Sequence, residues 1–145
     1  MRINGLWRLC EDGVTRPVLY GNLQLENGTR QAVEFLVDTG ADRTVFNGAT
    51  VTEVGLTPLE TEEVVTGLGG ATETIMIETV IHLTRETGDT IALRGQFTAV
   101  TEAAGLEFNV LGRDILDMFS VIIDRPGDVV SLLSQKHRYT IIQEP

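Results

Sequence analysis

Phe35-Leu36-Val37-Asp38-Thr39-Gly40-Ala41-Asp42 is the stretch on which the reading of this chain turns. It ends a run from Ala32 to Val37 that is nearly continuously apolar toward its end, as in a strand buried on both faces. A carboxylate follows the last apolar residue directly, and a glycine two positions later favours a turn. An aspartate so placed is partly desolvated, which disfavours its charged form. Gly40 lets a neighbouring backbone or a substrate approach closely, since no side chain intervenes. An ordinary strand-to-turn junction has the same composition. On this segment alone, both readings stand.

Outward from it, the periodicity is that of strands. Val18 to Leu25 alternates loosely, and Asn27-Gly28 is a strong hairpin signal returning the chain into 32–37. Asn27-Gly28-Thr29 also fits a glycosylation sequon, but without a secretory signal the turn reading is the one adopted. Downstream, a strand from about Leu59 to Val65 turns at Gly67-Leu68-Gly69-Gly70 and returns from Thr74 to Ile81. Three glycines in four residues make that tip a candidate mobile lid. A third strand pair is expected over Thr90 to Val100 and Leu106 to Leu111. After Gly112 comes one short helix, Arg113 to Phe119, with Asp114 in its first turn and Ile115, Leu116 and Phe119 on one face. Strands from Val121 to Ile123 and Val129 to Leu133 flank Arg125-Pro126-Gly127-Asp128, which reads as a type II turn. Tyr139 to Ile142 is a candidate last strand. The expectation is one mainly β domain over 1–145, with its core at about 16–133.

Composition narrows the function classes. The chain has 145 residues, 42% of them hydrophobic and only 6% aromatic, so aliphatic side chains must build most of the core. With 21 acidic against 11 basic residues, the net charge of −10 repels nucleic-acid phosphates rather than steering them in. Cys10 is the sole cysteine, so no internal disulfide forms, and it and Trp7 are expected simply to pack. His82 and His137 lie far apart, with no further ligand at metal spacing. No metal and no cofactor is called for. No apolar run reaches a membrane span and no signal core opens the chain, so the expected setting is cytoplasmic, with no membrane partner.

Three segments in order carry a resemblance. Leu36-Val37-Asp38-Thr39-Gly40-Ala41-Asp42-Arg43-Thr44-Val45 resembles the active-site loop of the retropepsins, the retroviral-type aspartic proteases and their cellular relatives. Gly67-Leu68-Gly69-Gly70 resembles their flap tip. Val110-Leu111-Gly112-Arg113-Asp114-Ile115-Leu116 resembles their hydrophobic-hydrophobic-glycine motif and following helix, and Arg16-Pro17 resembles an arginine-proline pair of retroviral members. The stretch from Leu116 to Asp124, followed by a hairpin, looks closer to the cellular and bacterial branch. The likeness covers roughly Arg16 to Leu133 and implies an all-β acid-protease fold: a closed β-barrel with one short C-terminal helix and a flap hairpin.

The same resemblance implies roles. Asp38 is the expected catalytic aspartate, Thr39 fixes the facing loop across a symmetry axis, and Gly40 lines the cleft. Ala41 and Asp42 are expected at the substrate backbone, where Asp42 also pairs with Arg113, and Gly112 and Arg113 support the loop. Gly67, Leu68, Gly69 and Gly70 are expected to close over a peptide. Ala41 in place of Ser removes a hydroxyl near the acid pair, which fits a mildly acidic optimum. Aspartic proteolysis needs two carboxylates and the chain has one Asp-Thr-Gly, so the implied enzyme is a C2 homodimer hydrolysing peptide or protein substrates. Residues 134–145 are a candidate dimer strand or a tail. The competing expectation is a catalytically silent dimerisation or peptide-binding module on the same fold.

Overall fold

Three turns of one pattern separate the strands of the larger sheet. Cys10-Glu11-Asp12-Gly13-Val14, Leu25-Glu26-Asn27-Gly28-Thr29 and Arg85-Glu86-Thr87-Gly88-Asp89 share a glutamate in second place and a glycine in fourth. In each, the glycine N–H donates to the first carbonyl and the first N–H donates to the last carbonyl, at 2.8 to 2.9 Å. The three glycines have φ of 82°, 82° and 92°, the left-handed region that a side chain resists. The sequence reading saw only the middle turn.

The structure is a computed structural model describing residues 1–56, 58–67, 70–101, 106–134, 140 and 142–145, with the backbone alone for 60–67 and 70–73. Its strands are β1 (Arg2–Asn4), β2 (Leu6–Leu9), β3 (Thr15–Gln24), β4 (Arg30–Val37), β5 (Val45–Phe46), β6 (Pro58–Gly67), β7 (Gly70–Thr84), β8 (Thr90–Val100), β9 (Asn109–Leu111), β10 (Ser120–Asp124) and β11 (Val129–Leu133). Two helices, α1 (Gly48–Val54) and α2 (Arg113–Leu116), interrupt them. The larger sheet runs β2-β3-β4-β9-β5-β8-β7-β6, and an added β3–β7 pairing brings its ladder back to a strand it has already used. A smaller sheet has the order β1-β11-β10.

Both hairpins expected around residues 27–28 and 67–70 are present as β3–β4 and β6–β7. Several expectations need correction. Thr90–Val100 and the strand at 109–111 do not pair with each other: β8 lies against β7, while β9 runs parallel to β4, with β5 between β9 and β8. Alternation along β9 is too short to tell those partners apart. β4 is not buried on both faces, since Val33, Phe35 and Val37 are buried while Glu34 and Leu36 are only half-buried. The 125–128 turn is not type II, because Gly127 lacks a positive φ and Asp128 takes the left-handed conformation at 56°. The helix after Gly112 ends at Leu116 rather than Phe119.

Among the described residues there are also two helices instead of one. The β-branched run in α1 hides it from propensity, yet Asn47 caps it by accepting the Thr50 N–H at 2.8 Å. β1 and β2 were not expected at all. Of the candidate strand at 139–142, residues 139 and 141 lie outside the described residues, and 140 and 142 are not strand.

The core is mainly aliphatic, as the composition required, around a line of three phenylalanines. Phe46 meets Phe35 and Phe97 edge-on, with centroids 5.6 and 5.9 Å away. Leu19, Leu23, Ile77, Ile81, Leu83 and Leu111 pack about them, and Ile3 and Leu132 join from the smaller sheet. Trp7 ties the two sheets together: its indole N–H donates to the carbonyls of Asp124 and Val129 at 3.1 and 3.2 Å, under the Arg125 guanidinium. Cys10 is buried, as expected.

Candidate active site

β4 delivers Asp38 to the end of a parallel ladder. Val37 pairs with Leu111 of β9, and the Asp38 N–H donates to the Leu111 carbonyl at 3.1 Å. The chain then turns sharply. The Gly40 N–H donates to Asp38 Oδ1 at 2.9 Å and the Ala41 N–H to the Asp38 carbonyl at 3.2 Å. This fixes the carboxylate by its own loop. Asp38 and Ala41 are half-buried, while Thr39 and Gly40 are exposed, so the acid sits at a rim that a ligand can reach.

A second loop, entering α2, fastens the first through its backbone and one buried hydroxyl. Arg113 N–H donates to the Ala41 carbonyl at 2.8 Å, and Asp114 N–H to the Asp42 carbonyl at 3.2 Å. Thr44 is fully buried, and its Oγ1 donates to Asp114 Oδ1 at 2.7 Å while accepting the Gly112 N–H at 3.1 Å. The Thr44 N–H adds bonds of 2.9 and 3.0 Å to the two oxygens of the same carboxylate. Hydrogen bonds to an ionised group are among the stronger ones. Gly112 is required by space: a Cβ there would lie 2.4 Å from the carbonyl carbon and oxygen of Arg43.

Arg113 closes the junction. Its Nη1 donates to the Thr39 carbonyl at 3.1 Å and its Nη2 to Asp42 Oδ1, forming the expected ion pair. That pair is largely exposed, so it orients the loop more than it stabilises the fold. The structure thus brings Asp38, Thr39, Gly40, Ala41, Asp42, Gly112 and Arg113 into one junction. Gly67 and Gly70 form the last rung of the β6–β7 hairpin, and Leu68 and Gly69 lie outside the described residues.

Sequence reasoning assigned no role to Thr44 and gave Asp114 only a place in the first helical turn. Their signal was a threonine inside the 36–45 motif and an aspartate directly after Gly112-Arg113, which gain meaning only once the two loops touch. Nearby, Asp12 holds Arg16 through two bonds of 2.9 and 2.6 Å, which with the Val14 N–H lowers the Asp12 pKa to about 2. The Arg16 guanidinium also lies over the Phe108 ring. Among the described residues, no cluster of His, Cys, Asp and Glu could hold a metal ion, and no helix is long and apolar enough to cross a membrane.

Residues 15–124 match the family model described as retroviral aspartyl protease. The chain belongs to that family. The mostly β architecture agrees with retropepsin-like solved structures. A retropepsin-like aspartic protease from Rickettsia conorii superposes with a TM-score of 0.55 at 19% identity, over 91% of this chain and 97% of that one. EIAV protease, in a complex with the inhibitor HBY-793, superposes with a TM-score of 0.52 at 25% identity, over 70% of this chain and 86% of that one. No curated protein matches the sequence. The bacterial likeness shows the fold, and the family match gives the retropepsin reading of the Asp38 junction its weight.

Proposed function

We propose that this retropepsin is an aspartic endopeptidase, assembled as a homodimer, that cleaves peptide or protein substrates with water activated by an Asp38 pair. The observation that carries the reading is the Asp38 turn itself, a reachable carboxylate locked by Gly40 and strapped to α2 by Thr44, Asp114 and Arg113. Two such carboxylates a few ångströms apart share one proton and titrate as a pair. The ionised member takes a proton from water; the protonated one hydrogen-bonds the scissile carbonyl and then helps protonate the leaving amine. Thr39 faces the partner's loop, while Gly40, Ala41, Asp42 and the glycine-tipped hairpin, Leu68 included, contact substrate backbone. The reaction needs no metal or cofactor, and the single buried cysteine suits a cytoplasmic setting.

The smaller sheet offers the dimer contact. One edge, β1, is covered: the Glu86 N–H donates to the Arg2 carbonyl at 2.9 Å, and the Glu86 carboxylate accepts from the Arg2 N–H at 2.5 Å. The other edge is β10, with Ile122 and Ile123 exposed. Because Val130 turns its carbonyl toward Gly5, the opposite residue Ile123 points its own backbone groups outward. Two copies of β10 can therefore pair edge to edge. Ile123→Pro removes one outward N–H and is expected to shift the protein to folded monomers in sedimentation.

The deciding experiment is cleavage of a mixed peptide library from about pH 3.5 to 7, comparing wild type with Asp38→Asn. Cuts made only by wild type support the enzyme. A confirmed dimer that makes no cut overturns it in favour of a peptide-binding module.

A further inference from the structure

A buried histidine, remote in sequence from the Asp38 junction, sits where the larger sheet meets itself. β7 pairs with β3 at Asn22↔His82 and Leu23↔Ile81, and Leu23 and Ile81 are fully buried beneath that contact. His82 is only 6% exposed. Its Nε2 lies 3.1 Å from Gln24 Oε1, an acceptor, so Nε2 carries the ring proton. Nδ1 is buried with no hydrogen-bond partner among the described residues. On its other side His82 pairs with Ala92 of β8. The charged group acting on the ring is a cation, Arg30 of β4. Arg94 of β8, Glu78 of β7 and Glu26 of the 25–29 turn line a cavity of about 370 Å³ beside Gln24.

We propose that His82 is an acid-operated latch on the β3–β7 junction, sealing it when neutral and opening it when protonated. A proton taken from solvent adds to Nδ1 and creates a donor that no described residue accepts. The new charge also lies beside Arg30. Opening the two-residue ladder lets water solvate the imidazolium, at the expense of uncovering Leu23 and Ile81. Burial first, and Arg30 second, hold the His82 pKa below its ordinary 6.5. The opened or unfolded state therefore binds the proton more tightly than the closed one. Junction stability is full above about pH 6.5 and is lost as pH falls toward the lowered value. The same β7 continues from this latch to the glycine-tipped hairpin, whose ladder with β6 begins at Ile77. The latch does not depend on the catalytic reading.

Amide hydrogen exchange, corrected for intrinsic rates, tests it at pH 7 and pH 5 on wild type and His82→Gln, which keeps a neutral amide. Protection of the amides at positions 22 and 82, which face each other across the β3–β7 ladder, is expected to fall about tenfold in wild type for each unit by which the pKa is lowered, and to stay level in the variant. Equal loss in both proteins, or none in wild type, overturns the latch. If the variant does not fold, NMR titration of the His82 ring in wild type decides. A folded-state pKa at or above 6.5 overturns the proposal.

Discussion

Two turns in this molecule begin with an aspartate whose side chain accepts a glycine N–H at 2.9 Å. In one, Asp38 Oδ1 takes the Gly40 N–H; in the other, Asp124 Oδ1 takes the Gly127 N–H. Locally they use the same chemistry. They differ in what lies behind them. The Asp38 turn is bound to a loop about 70 residues away through Thr44, Asp114, Gly112 and Arg113. The Asp124 turn joins two adjacent strands, and its aspartate is exposed. An aspartate-glycine turn is therefore only geometry; long-range straps make one of them a place where a carboxylate can be held for chemistry.

The largest effect expected from breaking this comparison is on cleavage. Asp38→Asn retains an oxygen for the Gly40 N–H but cannot share a proton, so peptide cleavage should fall by about 10²–10⁴-fold. Its thermal stability should stay close to wild type. Asp124→Asn makes the same exchange in the second turn and should leave cleavage unchanged. Loss of cleavage in both variants would show that the carboxylates matter for stability rather than reaction.

Next come the straps. Thr44→Val keeps the shape of a fully buried residue but removes the hydroxyl, leaving the Gly112 N–H unpaired. An unsatisfied buried donor costs about 1–3 kcal/mol, and denaturant unfolding should show it. Thr44→Ser keeps the hydroxyl and should recover most of that loss. Thr44→Val should also slow cleavage, because the loop bearing Asp38 loses the strap that the Thr44 hydroxyl makes to Asp114 and Gly112. A stable Thr44→Val protein with full activity would mean that the hydroxyl strap is not needed to hold Asp38.

These straps also mark where the sequence stopped being legible. Asp38-Thr39-Gly40, Gly112-Arg113 and the Asp42–Arg113 pair could be read because their order along the chain resembles a known pattern. Thr44 could not, because its partners are 68 and 70 residues away and nothing local requires a hydroxyl there. For the same reason the β3–β4 and β6–β7 hairpins were legible through their turn glycines, whereas β9 was paired with the wrong strand. Three residues are too few to specify a partner, and a parallel neighbour leaves no turn between the two strands as a signal. β1 and β2 escaped because their burial comes from Trp7 and Ile3 packing on distant strands, not from a period of their own.

The smallest expected effect, at Gly127, is set against Gly112 by the same contrast between backbone and side-chain neighbours. A Cβ at Gly112 would stand 2.4 Å from Arg43 backbone, and one at Gly127 would stand 2.3 Å from Asp124 Oδ2. Distance alone ranks Gly127 as the tighter site. Arg43 backbone, however, belongs to the strapped loop and cannot yield without parting it from α2, so Gly112→Ala should cost about 3 kcal/mol or more. The Asp124 carboxylate is the end of an exposed side chain that can rotate away, giving up one solvated hydrogen bond. Gly127 also lacks a positive φ, so alanine meets no backbone strain. Gly127→Ala should therefore cost about 1 kcal/mol or less. Thermal melts of the two variants under identical conditions measure the difference directly. Equal losses would mean that the 125–128 turn is as tightly held as the Asp38 junction, and the distinction drawn between the two turns would fail.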